Sequence, residues 1–232
     1  MSNKQIEVSI VMPCLNEEET LGICIQKAQR TLKSLGIQGE VVIADNGSTD
    51  DSVAIAERLG ARVVRQPLRG YGAAYLAGIP AAQGRYIIIG DSDDTYDFTD
   101  LERFITPLRE GYDLVIGNRF KGEMMPGAMP WVRRYIGNPI LSGLLRLLFQ
   151  TPISDSHCGM RSFTAEAYTH MALKTTGMEF ASEMVVKAEQ VGLKIQEIPI
   201  TYAPREGESK LNEIRDAARH LSFMLMYKIF RK

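Results

Sequence analysis

Carboxylates gather at three points of this 232-residue sequence, each just after an apolar, β-branched run. The sharpest group is Asp91-Ser92-Asp93-Asp94. In an extended segment, side chains two positions apart point the same way, so Asp91 and Asp93 can face one hard divalent cation. Mg²⁺ or Mn²⁺ is commonly held by one or two carboxylates plus substrate phosphates, so the spacing suits a metal-bridged diphosphate. The other groups are Pro13-Cys14-Leu15-Asn16-Glu17-Glu18-Glu19 and Asp45-Asn46-Gly47-Ser48-Thr49-Asp50. Each has a plain structural reading as well: Asn16, Ser48 or Thr49 can cap helices, Asp-Asn-Gly is a common turn, and the Asp91 group can be a solvated acidic turn. Three such groups at one end of one sheet repel unless a cation or ligand separates them.

Cations collect later in the chain, at Arg119, Arg133, Arg134, Arg205 and Lys210. They suit the positioning of phosphates, or are scattered solvated charge. Gly70-Tyr71-Gly72-Ala73-Ala74 precedes a helical stretch and lets backbone approach a phosphate. It lacks the dinucleotide glycine spacing, and no lysine-bearing phosphate loop is present. His157-Cys158 reads as structural rather than as a metal or nucleophile pair, since neighbours in an extended segment point to opposite sides.

Runs at 8–12, 40–44, 61–64, 86–89 and 114–116 read as strands, and 18–35, 51–59, 73–83 and 100–109 carry apolar residues at helical spacing. That alternation predicts an α/β, Rossmann-like, doubly wound and mainly parallel sheet, with ligands at the carboxyl ends of its strands. Beyond residue 117 the pattern changes. Residues 119–130 read as a mobile loop, 131–149 as a helix, and 154–163 as a polar loop entering a short strand. Residues 179–191 then read as a helix, 194–202 as a strand and 212–232 as a last amphipathic helix.

Apolar residues make up 45% and charged residues 24%, which excludes collagen, a disordered tail and a disulfide scaffold. A net charge of -1 argues against a bulk electrostatic nucleic-acid binder. The N-terminus lacks the apolar stretch of a secretory signal, and no window approaches the ~20 apolar residues of a membrane span. Cys14, Cys24 and Cys158 are odd in number and lack CxxC spacing, so reduced thiols in the cytoplasm are expected.

Taken together the motifs resemble the family-two glycosyltransferases of GT-A fold, in particular the dolichyl- or polyprenyl-phosphate sugar synthases. The resemblance runs from about residue 7 to residue 211 and continues through Gly117-Asn118-Arg119-Phe120, Asp155 to Phe163, Glu179 to Glu183, and Pro204-Arg205 to Lys210-Leu211. It implies one glycosyltransferase domain over 1–211, followed by an amphipathic helix over 212–232. It implies that Pro13, Leu15, Asn16, Glu17, Ala44, Asp45 and Asn46 hold a nucleotide, with Gly72 and Ser92 also in the donor site. Asp91 and Asp93 match the pair that binds the diphosphate through Mg²⁺ or Mn²⁺, and Arg119, Arg205 and Lys210 match positions that gather donor and acceptor phosphates. Tyr71 stands where many relatives carry Lys, and Arg205 and Lys210 lie closer together than in eukaryotic mannosyl enzymes.

The implied chemistry is inverting displacement at a sugar anomeric carbon, from a donor of GDP-mannose or UDP-glucose type to a polyprenyl or dolichyl phosphate. A phosphate monoester, with a second pKa of about 6, is already largely dianionic and needs cations rather than a base. On that account His157 and His170 have no chemical task. The acceptor would be met at a membrane surface, by a peripheral enzyme at the cytoplasmic face or a shortened form of a membrane protein. Residues 131–149 and 213–232 fit interfacial helices, and equally fit helices packed on the sheet. The alternative is a family-two transferase using a soluble sugar or other hydroxyl acceptor, with Asp155 or Glu183 as base. A nucleotidyltransferase lacks its usual glycine-rich basic loop here, and a non-catalytic nucleotide-binding module is the reading from another class.

Overall fold

The computed structural model describes residues 5–206 and 213–229. Among them seven strands form one sheet: β1 (Val8–Cys14), β2 (Gly39–Asp45), β3 (Arg62–Arg65), β4 (Tyr86–Ile89), β5 (Leu114–Asn118), β6 (Arg161–Thr164) and β7 (Ile195–Pro199). The order is β3-β2-β1-β4-β6-β5-β7, and only β6 runs antiparallel to its neighbours. Helices are α1 (Leu21–Ser34), α2 (Ser52–Arg58), α3 (Tyr71–Ala81), α4 (Glu102–Arg109), α5 (Asn138–Phe149), α6 (Ala165–Met171), α7 (Phe180–Gln190) and α8 (Glu213–Ile229). The central strands are near-continuous apolar runs because helices cover both faces. Ile10, Met12, Ile43, Ile88, Phe104 and Phe163 are all buried in one core.

Strand pairing sets the site. Cys14 pairs with Asp45 and Val11 with Ile89, so the carboxyl ends of β1, β2 and β4 open onto one edge. Because β6 is reversed, the loop before it returns to that same edge.

Most expected elements are present with shifted ends. The first helix starts at Leu21 rather than 18; ahead of it Glu17 and Glu18 donate their backbone N–H groups to Ser52 and Asp50, which ties that turn to the start of α2. The expected helix over 131–149 is broken by a π-helical turn at Arg133–Gly137. Pro139, at the start of α5, has no N–H to continue the ladder. The expected strand over 194–202 ends at Pro199, and Tyr202 instead bridges to Tyr96 and Met124. The short helix α6, capped by Thr164, was not anticipated.

A second, small core joins three helices: Leu145 and Phe149 of α5, Val186 of α7 and Met224 of α8. Arg219 adds an ion pair to Glu179 at 2.7 Å, and His220 a hydrogen bond with Ser182 at 2.7 Å. The last helix is therefore docked on the domain through one buried side and keeps Leu225, Met226 and Ile229 exposed. Met224→Ala is expected to cost about 2–3 kcal/mol, seen as a lower urea midpoint with an unchanged slope.

Candidate active site

The Asp91–Asp94 segment leaves β4 at the open edge, and its three carboxylates do different things. Asp94, with φ 59, turns back to Lys27 of α1 and forms a 2.8 Å ion pair. Asp93 accepts on Oδ1 from the backbone N–H and hydroxyl of Thr95, at 3.2 and 2.7 Å. Asp91 accepts on Oδ1 from the Tyr71 hydroxyl at 3.0 Å. Burial pushes that phenol well above its usual range, so it stays a donor. In Asp91 and Asp93 alike, the neighbouring fold occupies Oδ1. Burial first, and the charge of Asp93 second, push Asp91 up to about 7. A β-carbon at Gly159 would sit 2.9 Å from Asp91 Oδ2, so the loop before β6 passes as close as glycine allows. Ser92 is buried, donating to the Pro13 carbonyl at 2.7 Å while its own carbonyl accepts from Thr20 at 2.8 Å. It fastens the Asp91 loop to β1.

On the nucleotide side, the structure brings the expected residues together but uses many of their polar groups internally. Asp45 accepts from the N–H groups of Gly47 and Ser48, at 3.3 and 3.0 Å. Asn46 donates to the carbonyls of Gln66 and Leu68 and accepts from Gly70 N–H, so its amide stitches the segment before α3 to β2. Asn16 accepts from Thr49 N–H at 2.7 Å. Ala44 is fully buried and meets Gly78 of α3, so its side chain offers a ligand no surface. Pro13, Leu15 and Glu17 are partly open at the edge. Gly72 is required by a different neighbour than a phosphate: a β-carbon there would lie 2.3 Å from the Thr175 carbonyl.

The expected cations divide in the same way. Arg119 is buried in a bidentate pair with Asp155, at 2.8 Å on both oxygens, and stacks 5.2 Å from the Tyr202 ring. Its charge also opposes the rise at Asp91. Arg205 lies 2.9 Å from Asp93 Oδ2 and 2.5 Å from Glu17 Oε1. Arg119 and Arg134 line a cleft of about 450 Å³, together with Phe120, Tyr135, Pro139 and Ser154. Lys210 lies outside the described residues.

Both base candidates are consumed by the fold. Asp155 is fully buried on Arg119, and Glu183 accepts from Lys174, Thr175 and Lys187. His157 is pushed well down by burial and sits among Ser156, Ser182 and His220, while His170 is exposed on α6. The three cysteines are buried and unbonded to one another.

Several residues that shape the site were not singled out from sequence. The Tyr96 hydroxyl accepts from Gly159 N–H at 2.7 Å. Glu197 gathers Asn118, Lys121, Ser154 and Asp155 N–H on one carboxylate, holding both segments that carry the Arg119–Asp155 pair. Arg161 is fully buried and donates to three carbonyls, those of Ser156, Cys158 and Ala181. Only Thr95 had a local signal, since Asp-x-Thr is a usual side-chain turn.

Residues 9–171 match the family described as Glycosyl transferase family 2. The chain belongs to that family. It is 44% identical over 220 residues to the low-salt glycan biosynthesis hexosyltransferase Agl6 of Haloferax volcanii, covering 94% of this chain and 53% of that protein. This chain thus spans about half the length of that relative. It is 32% identical over 213 residues to a dolichyl-phosphate hexose transferase of the same organism, covering 91% and 90%. Among solved structures, glucosyl-3-phosphoglycerate synthase of Mycobacterium tuberculosis with Mn²⁺, UDP and glucosyl-3-phosphoglycerate superposes with a TM-score of 0.74 at 23% identity, covering 96% of this chain and 79% of that one. The fold is GT-A.

Asp91 and Asp93, each with Oδ1 held by the fold, are the oxygen donors that would hold a hard divalent cation here, and Asp93 Oδ2 already meets Arg205. A proton would compete with such a cation for Asp91. Mn²⁺ affinity is expected to rise about tenfold per pH unit below about 7 and to level off above it, measured by calorimetry. An affinity flat through that range would contradict this assignment.

Proposed function

We propose that the protein transfers a hexose from a nucleotide sugar of GDP-mannose or UDP-glucose type to a polyprenyl or dolichyl phosphate, at the cytoplasmic face of a membrane. The observation that carries this reading is the cleft lined by Arg119 and Arg134 together with Phe120, Met124 and Tyr135. In the 131–149 stretch that supplies Arg134, Trp131 is 66%, Ile140 61% and Leu147 78% exposed, with Tyr135 and Arg146 also exposed. The exposed apolar residues of α8 lie on the helix packed against α5. Aromatic and aliphatic groups beside arginines suit a helix lying in a lipid interface. No helix among the described residues is long and apolar enough to cross a membrane. The dolichyl-phosphate hexose transferase among its relatives points to the same acceptor class.

The residues divide the work of displacement. Arg119 and Arg134 hold the acceptor phosphate, whose oxygen attacks the anomeric carbon. The bond from that carbon to the donor diphosphate breaks, its electron pair leaves with the nucleotide, and attack from the opposite face inverts the centre. Asp91 and Asp93 would hold Mg²⁺ or Mn²⁺, which supplies charge stabilisation to the departing diphosphate. No general base is needed, in keeping with the burial of Asp155 and Glu183.

The test offers purified protein a panel of GDP- and UDP-sugars, a short polyprenyl phosphate in anionic vesicles, and Mn²⁺ or Mg²⁺. Transfer into the lipid phase, abolished by chelator, is expected. Arg134→Ala should raise the KM for the lipid phosphate roughly tenfold or more with little effect on the donor KM. Transfer to soluble hydroxyl acceptors alone, without vesicle binding, would overturn the lipid reading.

A further inference from the structure

Arg205 stands where the proposed function places a divalent cation. Its guanidinium joins Glu17, carried after β1, to Asp93, carried after β4. The oxygen it takes on Asp93 is Oδ2, the one that Thr95 leaves over. Its fit is incomplete: Nε is buried and has no hydrogen-bond partner. A buried N–H left unpaired carries a desolvation penalty, so the guanidinium is held there by charge more than by a full set of hydrogen bonds.

We propose that Arg205 is an internal counter-cation that seals the metal seat of the donor-free protein, and that a divalent metal arriving with the nucleotide diphosphate displaces it. The inference rests on the reading of Asp91 and Asp93 as that seat. Asp93 Oδ2 cannot serve both cations well, because a metal bound at roughly 2.1 Å would lie within a few ångströms of the guanidinium charge. The diphosphate supplies the displaced side chain with a new anionic partner. The backbone just before Arg205 is fixed, since Ala203 N–H donates to the Thr95 carbonyl at 3.0 Å and Tyr202 bridges to Tyr96. The side chain therefore changes partners while its anchor stays on the Asp93 loop. A consequence is ordered loading, in which bare metal binds weakly and metal with nucleotide binds well.

This role predicts two effects of opposite sign, which neither a simple phosphate ligand nor a purely structural ion pair would give. Mn²⁺ binding is measured by electron paramagnetic resonance, first without nucleotide and then with UDP or GDP. Without nucleotide, Arg205→Ala should bind Mn²⁺ roughly threefold or more tightly than the unaltered protein. With Mn²⁺ present, the same variant should bind the nucleoside diphosphate roughly tenfold more weakly. Arg205→Lys keeps the charge without the fork and should fall between. Asp93→Asn should remove Mn²⁺ binding in both backgrounds, and thermal unfolding of each variant reports its folding. Unchanged or weaker Mn²⁺ binding in Arg205→Ala, with Asp93→Asn still inactive in binding, overturns the seal and leaves the metal seat standing. Absence of Mn²⁺ binding in the folded, unaltered protein, with and without nucleotide, overturns both.

Discussion

Carboxylates drawn out of water at the carboxyl end of a parallel sheet must each meet a positive charge or hydrogen-bond donors, and the working edge of this molecule is organised around that demand. Asp94 has Lys27, Asp155 has Arg119, Glu179 has Arg219 and Glu183 has Lys187. The first three pairs fasten one piece of chain to another, while Glu183 and Lys187 lie one turn apart on α7. Asp91 and Asp93 are handled differently. Their Oδ1 atoms are held by neutral hydroxyl or amide donors, and the cation on Asp93 comes from a residue more than a hundred positions away in sequence. Permanent partners give rigidity, whereas neutral donors fix the geometry of a carboxylate without cancelling its charge. On the proposed reading, that difference separates the carboxylates that build the edge from the two that would seat a cation there.

Topology makes the arrangement possible. With β1, β2 and β4 parallel, the loops after them meet at one edge as in other doubly wound sheets. The reversed β6 then brings the loop that precedes it to the same place. Asp155, Cys158 and Gly159 thereby reach Arg119, Gly117 and Asp91, although they lie on no strand end of their own. Glu197 of β7 ties the first of these loops to the segment after β5. Glu197 thus sets where the Arg119–Asp155 pair can stand.

Much of this was legible in the sequence, for reasons that differ by residue. The alternation of β-branched runs and helical stretches located all the parallel strands of the first half, because buried central strands need unbroken apolar runs. The spacing of Asp91 and Asp93 singled out a carboxylate pair at the open edge, although the segment that carries them is a run of bends rather than the extended backbone assumed. Periodicity gave no sign of the reversed direction of β6, because a strand of four residues reads the same either way. Ser92, Asn46 and Gly72 have the residue types of ligand contacts, yet they serve loop closure and close packing. Local sequence cannot separate an amide that stitches a loop from one that meets a ribose. The contributions of Glu197, Tyr96 and Tyr71 arise from contacts across the sheet and leave no local trace. The stretch 131–149 carries apolar residues nearly all round, and only the packing of Leu145 and Phe149 distinguishes its inner side from the exposed Ile140 and Leu147.

The central claim is that Asp91 and Asp93 together seat the cation that meets the donor diphosphate. The most direct measurement is a crystal structure grown with Mn²⁺ and UDP or GDP, with data collected to show the anomalous signal of manganese. The account predicts an anomalous peak within bonding distance of Asp91 and Asp93 and of the diphosphate, with the base and ribose lying toward Pro13 and Asn16. A nucleotide bound elsewhere, or a manganese peak that leaves both aspartates untouched, would contradict it.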